Sequence, residues 1–166
     1  MRTPQVVVLE PDGWIARTLG DLAAEDGWLI RRARSVATAR SLVSDRQPCV
    51  LLVQVELSDE LLLPFQFMAE IHRKYPDVPI VVVSETKLND ADRVAWTATL
   101  FELGARFALF PPLTRPVLED VVSGLMTATI RRTVGEDAAP AGRTAATKTS
   151  PGPDEVIDLA DEDVYE

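Results

Sequence analysis

Apolar runs of strand length alternate with helical patterns five times along the first 133 residues. Val6 to Leu9 is the first run. It is followed by "PDGWIARTLGDLAAED", in which Ile15, Leu19 and Leu22 recur at helical spacing. "WLIRRA" is a second, weaker strand, and Ser35 stands where it can cap the helix "VATARSLVSD". In that helix Val36, Ala39, Leu42 and Val43 make one stripe. "CVLLV", Cys49 to Val53, predicts a third strand that ends at Gln54, and "FQFMAEIHRKY" a third helix. "PIVVVS" is the fourth strand, and Asn89 or Asp90 opens a helix that Gly104 closes. "RFALF" is the fifth. Thr114 and Pro116 then start a last helix, with Leu118, Val121, Val122 and Leu125 facing one way.

Strands one, three and four are nearly continuous apolar runs, which suits strands covered on both faces by helices. Strict alternation with short links predicts an α/β fold, a doubly wound parallel sheet of five strands and five helices. Ligands in such sheets sit beyond the carboxyl ends of the strands. Those ends are Glu10, Gln54, Ser84 and Phe110/Pro111.

From Gly135 the pattern stops. "GEDAAPAGRTAATKTSPGP" carries no apolar stripe and predicts a disordered linker over 134–153. Residues 154–166, "DEVIDLADEDVYE", regain aliphatic residues in an acidic setting and read as a docking peptide anchored by Val156, Ile157 and Leu159. The domain proper is expected to be 1–133.

Composition sharpens this division. Of 166 residues 46% are hydrophobic, enough for a genuine core, and the net charge is −9. Residues 1–133 hold 15 Lys and Arg against 17 Asp and Glu, while 134–166 hold 2 against 9, so the acidity belongs to the tail. A near-neutral body with an acidic tail does not suit nucleic acid, which selects a basic stripe. The cluster "RRAR", Arg31 to Arg34, is the local exception and reads as a solvated strand end. No membrane segment or signal peptide is visible, so a cytoplasmic protein is expected. The lone Cys49 sits in an apolar strand and is expected to be buried and inert.

Over roughly residues 4–130 the chain resembles a bacterial response-regulator receiver domain. "VVVLEPD" looks like its first strand with an acidic end, and "PCVLLVQVEL" like the third strand, which in that family ends in a phospho-accepting aspartate. "VPIVVVSE" looks like the fourth strand with its hydroxyl residue, and "LGARFALFPPL" like the segment with a lysine before a cis-proline. The resemblance implies a flavodoxin-like sheet of order 2-1-3-4-5.

It also implies a degenerate phosphorylation pocket. Gln54 stands where the nucleophilic aspartate belongs, and a neutral amide neither attacks phosphorus nor lends charge to magnesium. Pro111 replaces the lysine, and Pro11 replaces one acidic residue beside Glu10. Ser84 keeps the hydroxyl, Pro112 keeps the proline, and Ala108 replaces the switching aromatic. Glu10 and Asp12 alone hold magnesium weakly, so no metal is expected, and they read as acids at a solvated strand end. No cofactor is expected either: no GxGxxG is built. His72 lies on a polar helix face with no nucleophile at matching spacing.

The fourth helix carries two stripes. Val94, Ala98 and Phe101 fall together, and Trp96, Leu100 and Leu103 fall nearly opposite. One stripe is core, and the other is a candidate docking face, which in receivers is the face of the fourth helix, fifth strand and fifth helix. The chain therefore reads as a non-enzymatic, phosphorylation-independent interaction module, an adaptor or scaffold in a bacterial regulatory or localisation system. A homodimer is compatible with that surface. Alternatives are a regulator still switched by a phosphodonor or small ligand, and a small enzyme on the same fold. "VIDL" also matches a short motif bound by small modifier proteins, a pattern that recurs by chance.

Overall fold

The computed structural model describes residues 2–57 and 62–137, so the predicted docking peptide, with Val156, Ile157 and Leu159, and the linker from 138 onward lie outside the described residues. Ten elements alternate along the chain. They are β1 (Gln5–Leu9), α1 (Trp14–Asp26), β2 (Leu29–Ala33), α2 (Val36–Leu42), β3 (Cys49–Val55), α3 (Leu62–Lys74), β4 (Ile80–Ser84), α4 (Asp90–Glu102), β5 (Ala105–Leu109) and α5 (Arg115–Asp137). All strand pairs are parallel and the order is β2-β1-β3-β4-β5, as expected.

Alternation of side chains across the pleat divides the core into two layers. Val6, Val8, Val50, Leu52, Val81 and Val83 face α1 and α5, where Ile15, Leu19, Leu118, Val122 and Met126 cover them. Val7, Leu9, Leu51, Val53 and Val82 face the other way, against Ala39, Phe67, Met68, Ile71 and Leu100 from α2, α3 and α4. The central strands therefore have no polar side until their ends. Cys49 is buried in the second layer, and burial pushes its thiol up to about 11, which keeps it protonated.

The helix starts follow their sequence signals. Ser35 Oγ accepts the Thr38 N–H at 3.2 Å, and Asn89 Oδ1 accepts the Asp92 N–H at 2.8 Å. Gly104 ends α4 at φ 103°, and a Cβ there would run into the His72 side chain. Only glycine fits that position. His72 is itself exposed, as expected.

Two boundaries differ from expectation. β3 does not stop before Gln54 but continues through Val55, because pairing with β4 carries on (Gln54 with Val83, Val55 with Ser84) and Val55 still packs into the core. A single polar residue does not end a strand whose next residue is buried. α5 likewise continues to Asp137, four residues beyond the expected domain end, and passes through Gly135. A glycine disfavours helix by only about 1 kcal/mol, too little by itself to stop a helix already propagating. Just before the glycine, Arg132 Nη1 donates to Asp77 Oδ1 at 3.0 Å and Thr133 Oγ1 to the Thr129 carbonyl at 3.0 Å. Among the described residues no helix is long and apolar enough to cross a membrane.

Candidate functional site

The carboxyl ends of β1 and β3 lie side by side, since Leu9 pairs with Val53. The next residues are Glu10 and Gln54. Both were expected in a degenerate pocket, Glu10 as an acid at a solvated strand end, and the structure treats them differently.

Glu10 is not solvated. It is 1% exposed, and both of its oxygens are engaged. Oε2 accepts the Ile15 N–H at 2.8 Å and Oε1 accepts the Ala16 N–H at 3.0 Å. These are two of the four amides that the first turn of any helix leaves unpaired. The residue preceding α1, Gly13, has φ 82° and no side chain to cap with, so Glu10 caps from the neighbouring strand end. The positive end of α1 also favours a carboxylate there.

Arg32 completes this arrangement, and sequence reasoning missed it. β1 pairs with β2 so that Val8 faces Arg32, which places the arginine on the side of the sheet that α1 covers. Its Nε lies 3.8 Å from Glu10 Oε1, and its Nη2 donates to the Pro11 carbonyl at 2.6 Å. A Cβ on Gly13 would come within 3.0 Å of the Arg32 Cζ, so the glycine makes room for the guanidinium. The "RRAR" cluster is therefore only partly a solvated strand end: Arg31 and Arg34 are exposed, and Arg32 is turned inward.

Gln54 lies opposite in character. Its Oε1 is buried and has no hydrogen-bond partner among the described residues. The other buried side-chain atoms in that condition are Trp14 Nε1 and Arg32 Nε. All three belong to residues at or near the carboxyl end of the sheet. Buried polar atoms in folded proteins are nearly always paired, and these three exceptions are grouped at one end of the sheet.

The six residues expected in one pocket do not share one. Glu10 and Gln54 line a hollow of about 380 Å³ together with Leu9, Pro11, Arg34, Ser35, Val36, Leu63 and Pro64. Ser84 and Pro111 line another, of about 280 Å³, with Trp14, Glu85 and Leu113. Asp12 and Pro112 are exposed and line neither. The Ser84 hydroxyl oxygen accepts the Thr86 N–H at 3.1 Å, and Thr86 Oγ1 accepts the Leu57 N–H at 3.3 Å, so this hydroxyl holds the turn after β4. The Pro111–Pro112 peptide is cis.

A magnesium ion does not fit these residues. It needs anionic oxygens in near-octahedral array. Glu10 has both oxygens turned to amides with a guanidinium alongside, and Gln54 is neutral. No group of three or more His, Cys, Asp and Glu side chains suited to a metal exists among the described residues. Gln54 itself offers no nucleophile to an incoming phosphoryl group. What it presents is an amide, which both donates and accepts.

The α4 stripes are disposed as the periodicity requires. Leu100 is fully buried, with Trp96 and Leu103 packed on the same layer. Val94 is 70% exposed and Phe101 50%, with Ala98 exposed between them. Phe107 on the edge strand β5 adds a further exposed ring.

Comparison with solved structures places the fold. The isolated receiver domain of NtrX from Brucella abortus superposes with TM-score 0.58 at 18% identity, over 74% of this chain and 98% of that one. The signal receiver domain of a LuxO-type repressor from Vibrio parahaemolyticus gives 0.64 at 14%, over 81% and 98%. Longer NtrX from the same Brucella, crystallised with ADP, gives 0.62 at 18%; the alignment takes in 88% of this chain but only 31% of that one. The chain has the receiver fold. It spans about a third of the longer NtrX chain and nearly all of the isolated receiver domains. No protein-family model matches the sequence, and none of the curated proteins does.

Proposed function

We propose that the protein is a receiver-fold interaction module that works without phosphorylation, an adaptor or scaffold in a bacterial signalling, regulatory or localisation system in the cytoplasm. One observation carries the reading. At the two strand ends where receiver chemistry needs carboxylates, one carboxylate is consumed as the cap of α1 under Arg32, and the other position is an amide. Pro111 in the lysine's place agrees with it. A protein of this kind acts through surfaces, and its partners are proteins rather than nucleic acid or membrane.

The surface the reading favours is the exposed side of α4 with β5 and α5, centred on Val94, Ala98 and Phe101. The acidic peptide at 154–166, with Val156, Ile157 and Leu159, is its second contact element. The test uses the full chain as bait. Phe101→Asp abolishes partner capture while the stability changes by less than about 0.5 kcal/mol, as expected of an exposed position. Leu100→Asp, one residue away, unfolds the domain by burying a charge. Capture that survives Phe101→Asp, Val94→Asp and their combination removes this face from the account.

A further inference from the structure

We propose that the hollow beside Gln54 is a socket for the chain's own C-terminal segment, residues 154–161, an inference that rests on the pocket having given up phosphoryl transfer. Three features of the hollow select an acidic, aliphatic peptide. Its walls are apolar, formed by Leu9, Pro11, Val36, Leu63 and Pro64, and Leu63 is 59% exposed. Half-buried Gln54 also lines it, with an NH2 that is open and has no acceptor among the described residues. On its rim is Arg34, exposed and without a carboxylate partner among the described residues.

The amide in the lining is the informative part. A carboxylate there accepts only, whereas a carboxamide offers one acceptor and two donors and so matches a backbone peptide group. The oxygen is closed off by packing, whereas the NH2 is open and available to a peptide carbonyl. Gln54 thus has the chemistry to hold main chain, which answers why an amide stands at the end of β3.

The segment "DEVIDLAD" has the complementary composition. In an extended chain Ile157 and Leu159 share one side, with Glu155 and Asp161 on that same side at either end. The aliphatic pair meets the apolar walls and a flanking carboxylate meets Arg34. Glu10 does not repel it, because its charge is already covered by two amides and Arg32.

The tether is long enough. α5 ends at the amino-terminal edge of the sheet, as the contact of Arg132 with Asp77 before β4 shows, whereas the hollow is at the opposite edge. The helix itself, 23 residues or about 34 Å, measures the height to be crossed. Residues 138–153 span up to about 55 Å when extended. Attachment by such a tether gives an effective concentration on the order of millimolar, well above that of a second copy at micromolar protein. A partner that takes the peptide must then displace it from the socket, which couples the tail to the body.

The experiment compares full-length wild type with the Ile157→Ser/Leu159→Ser variant by amide NMR and hydrogen exchange. Both substitutions lie outside the described residues 2–57 and 62–137. The expected result is a shift of the Val36, Gln54 and Leu63 signals between the two proteins. With the segment docked nine-tenths of the time, exchange at residues 157–159 of wild type is about tenfold slower than in the variant. Arg34→Glu reproduces the variant's signals, and Arg34→Lys restores most of the wild-type state. Identical spectra for wild type and the double variant overturn the proposal. Differences that fade on dilution through the micromolar range also overturn it, since they assign the occupant to a second copy. A phosphoryl adduct detected separately by intact mass instead strikes the underlying reading, so the two failures are told apart.

Discussion

Glu10 and Gln54 are neighbours at the ends of adjacent strands, yet both oxygens of one are hydrogen-bonded and the buried oxygen of the other is not. Glu10 is held by two helix amides and a guanidinium. Gln54 buries an oxygen that nothing among the described residues reaches. The difference teaches that the pocket has been divided between two kinds of work. On the β1 side the acidic residue belongs to the architecture, because α1 depends on it for its cap. On the β3 side the polar group is left available, and stability gains nothing from it.

Substitutions that reverse this contrast test it. The largest effect is expected for Glu10→Ala, which strands the Ile15 and Ala16 amides and removes the carboxylate beside Arg32. Hydrogen bonds to a charged group contribute about 1.5–3 kcal/mol each, so a loss of about 3–5 kcal/mol is expected in chemical denaturation. A loss under 1 kcal/mol contradicts a structural Glu10. Arg32→Ala comes next, at about 2 kcal/mol, because the amides still hold the carboxylate while the bond to the Pro11 carbonyl is gone. Gln54→Leu is expected to be neutral or to stabilise by up to about 1 kcal/mol, since it removes an unpaired buried acceptor. Destabilisation by Gln54→Leu beyond that margin in the Ile157→Ser/Leu159→Ser background means the amide has a partner within the folded body, and the contrast fails.

Much of the fold was legible because its cause is local. Val6–Leu9, Cys49–Val53 and Ile80–Val83 are apolar without interruption since both faces of the central strands are covered, and Ser35, Asn89 and Gly104 mark helix ends by their own chemistry. The two stripes of α4 follow from helical geometry alone. The site was less legible because its decisive contacts join distant residues. Nothing adjacent in sequence to Arg32 signals that parallel register beside Val8 delivers it to Glu10, and an acid after an apolar strand looks solvated until Gly13 turns α1 onto it. The ends of β3 and α5 were misjudged for a related reason: Gln54 and Gly135 look like stops, but pairing with β4 carries β3 on, and one glycine costs a propagating helix too little to end it. The positions of Gln54 and Pro111 relative to the strand ends were legible throughout.

The central claim is that this receiver fold does not carry a phosphoryl group. Its most direct test is intact mass spectrometry of the full chain after incubation with magnesium and acetyl phosphate, with amide spectra recorded in magnesium and beryllofluoride. The account predicts an unchanged mass and unchanged signals for Glu10, Gln54, Ser84 and the α4 residues around Phe101. A mass increase of one phosphoryl group, mapped to any residue at the carboxyl end of β1, β3 or β4, would contradict it.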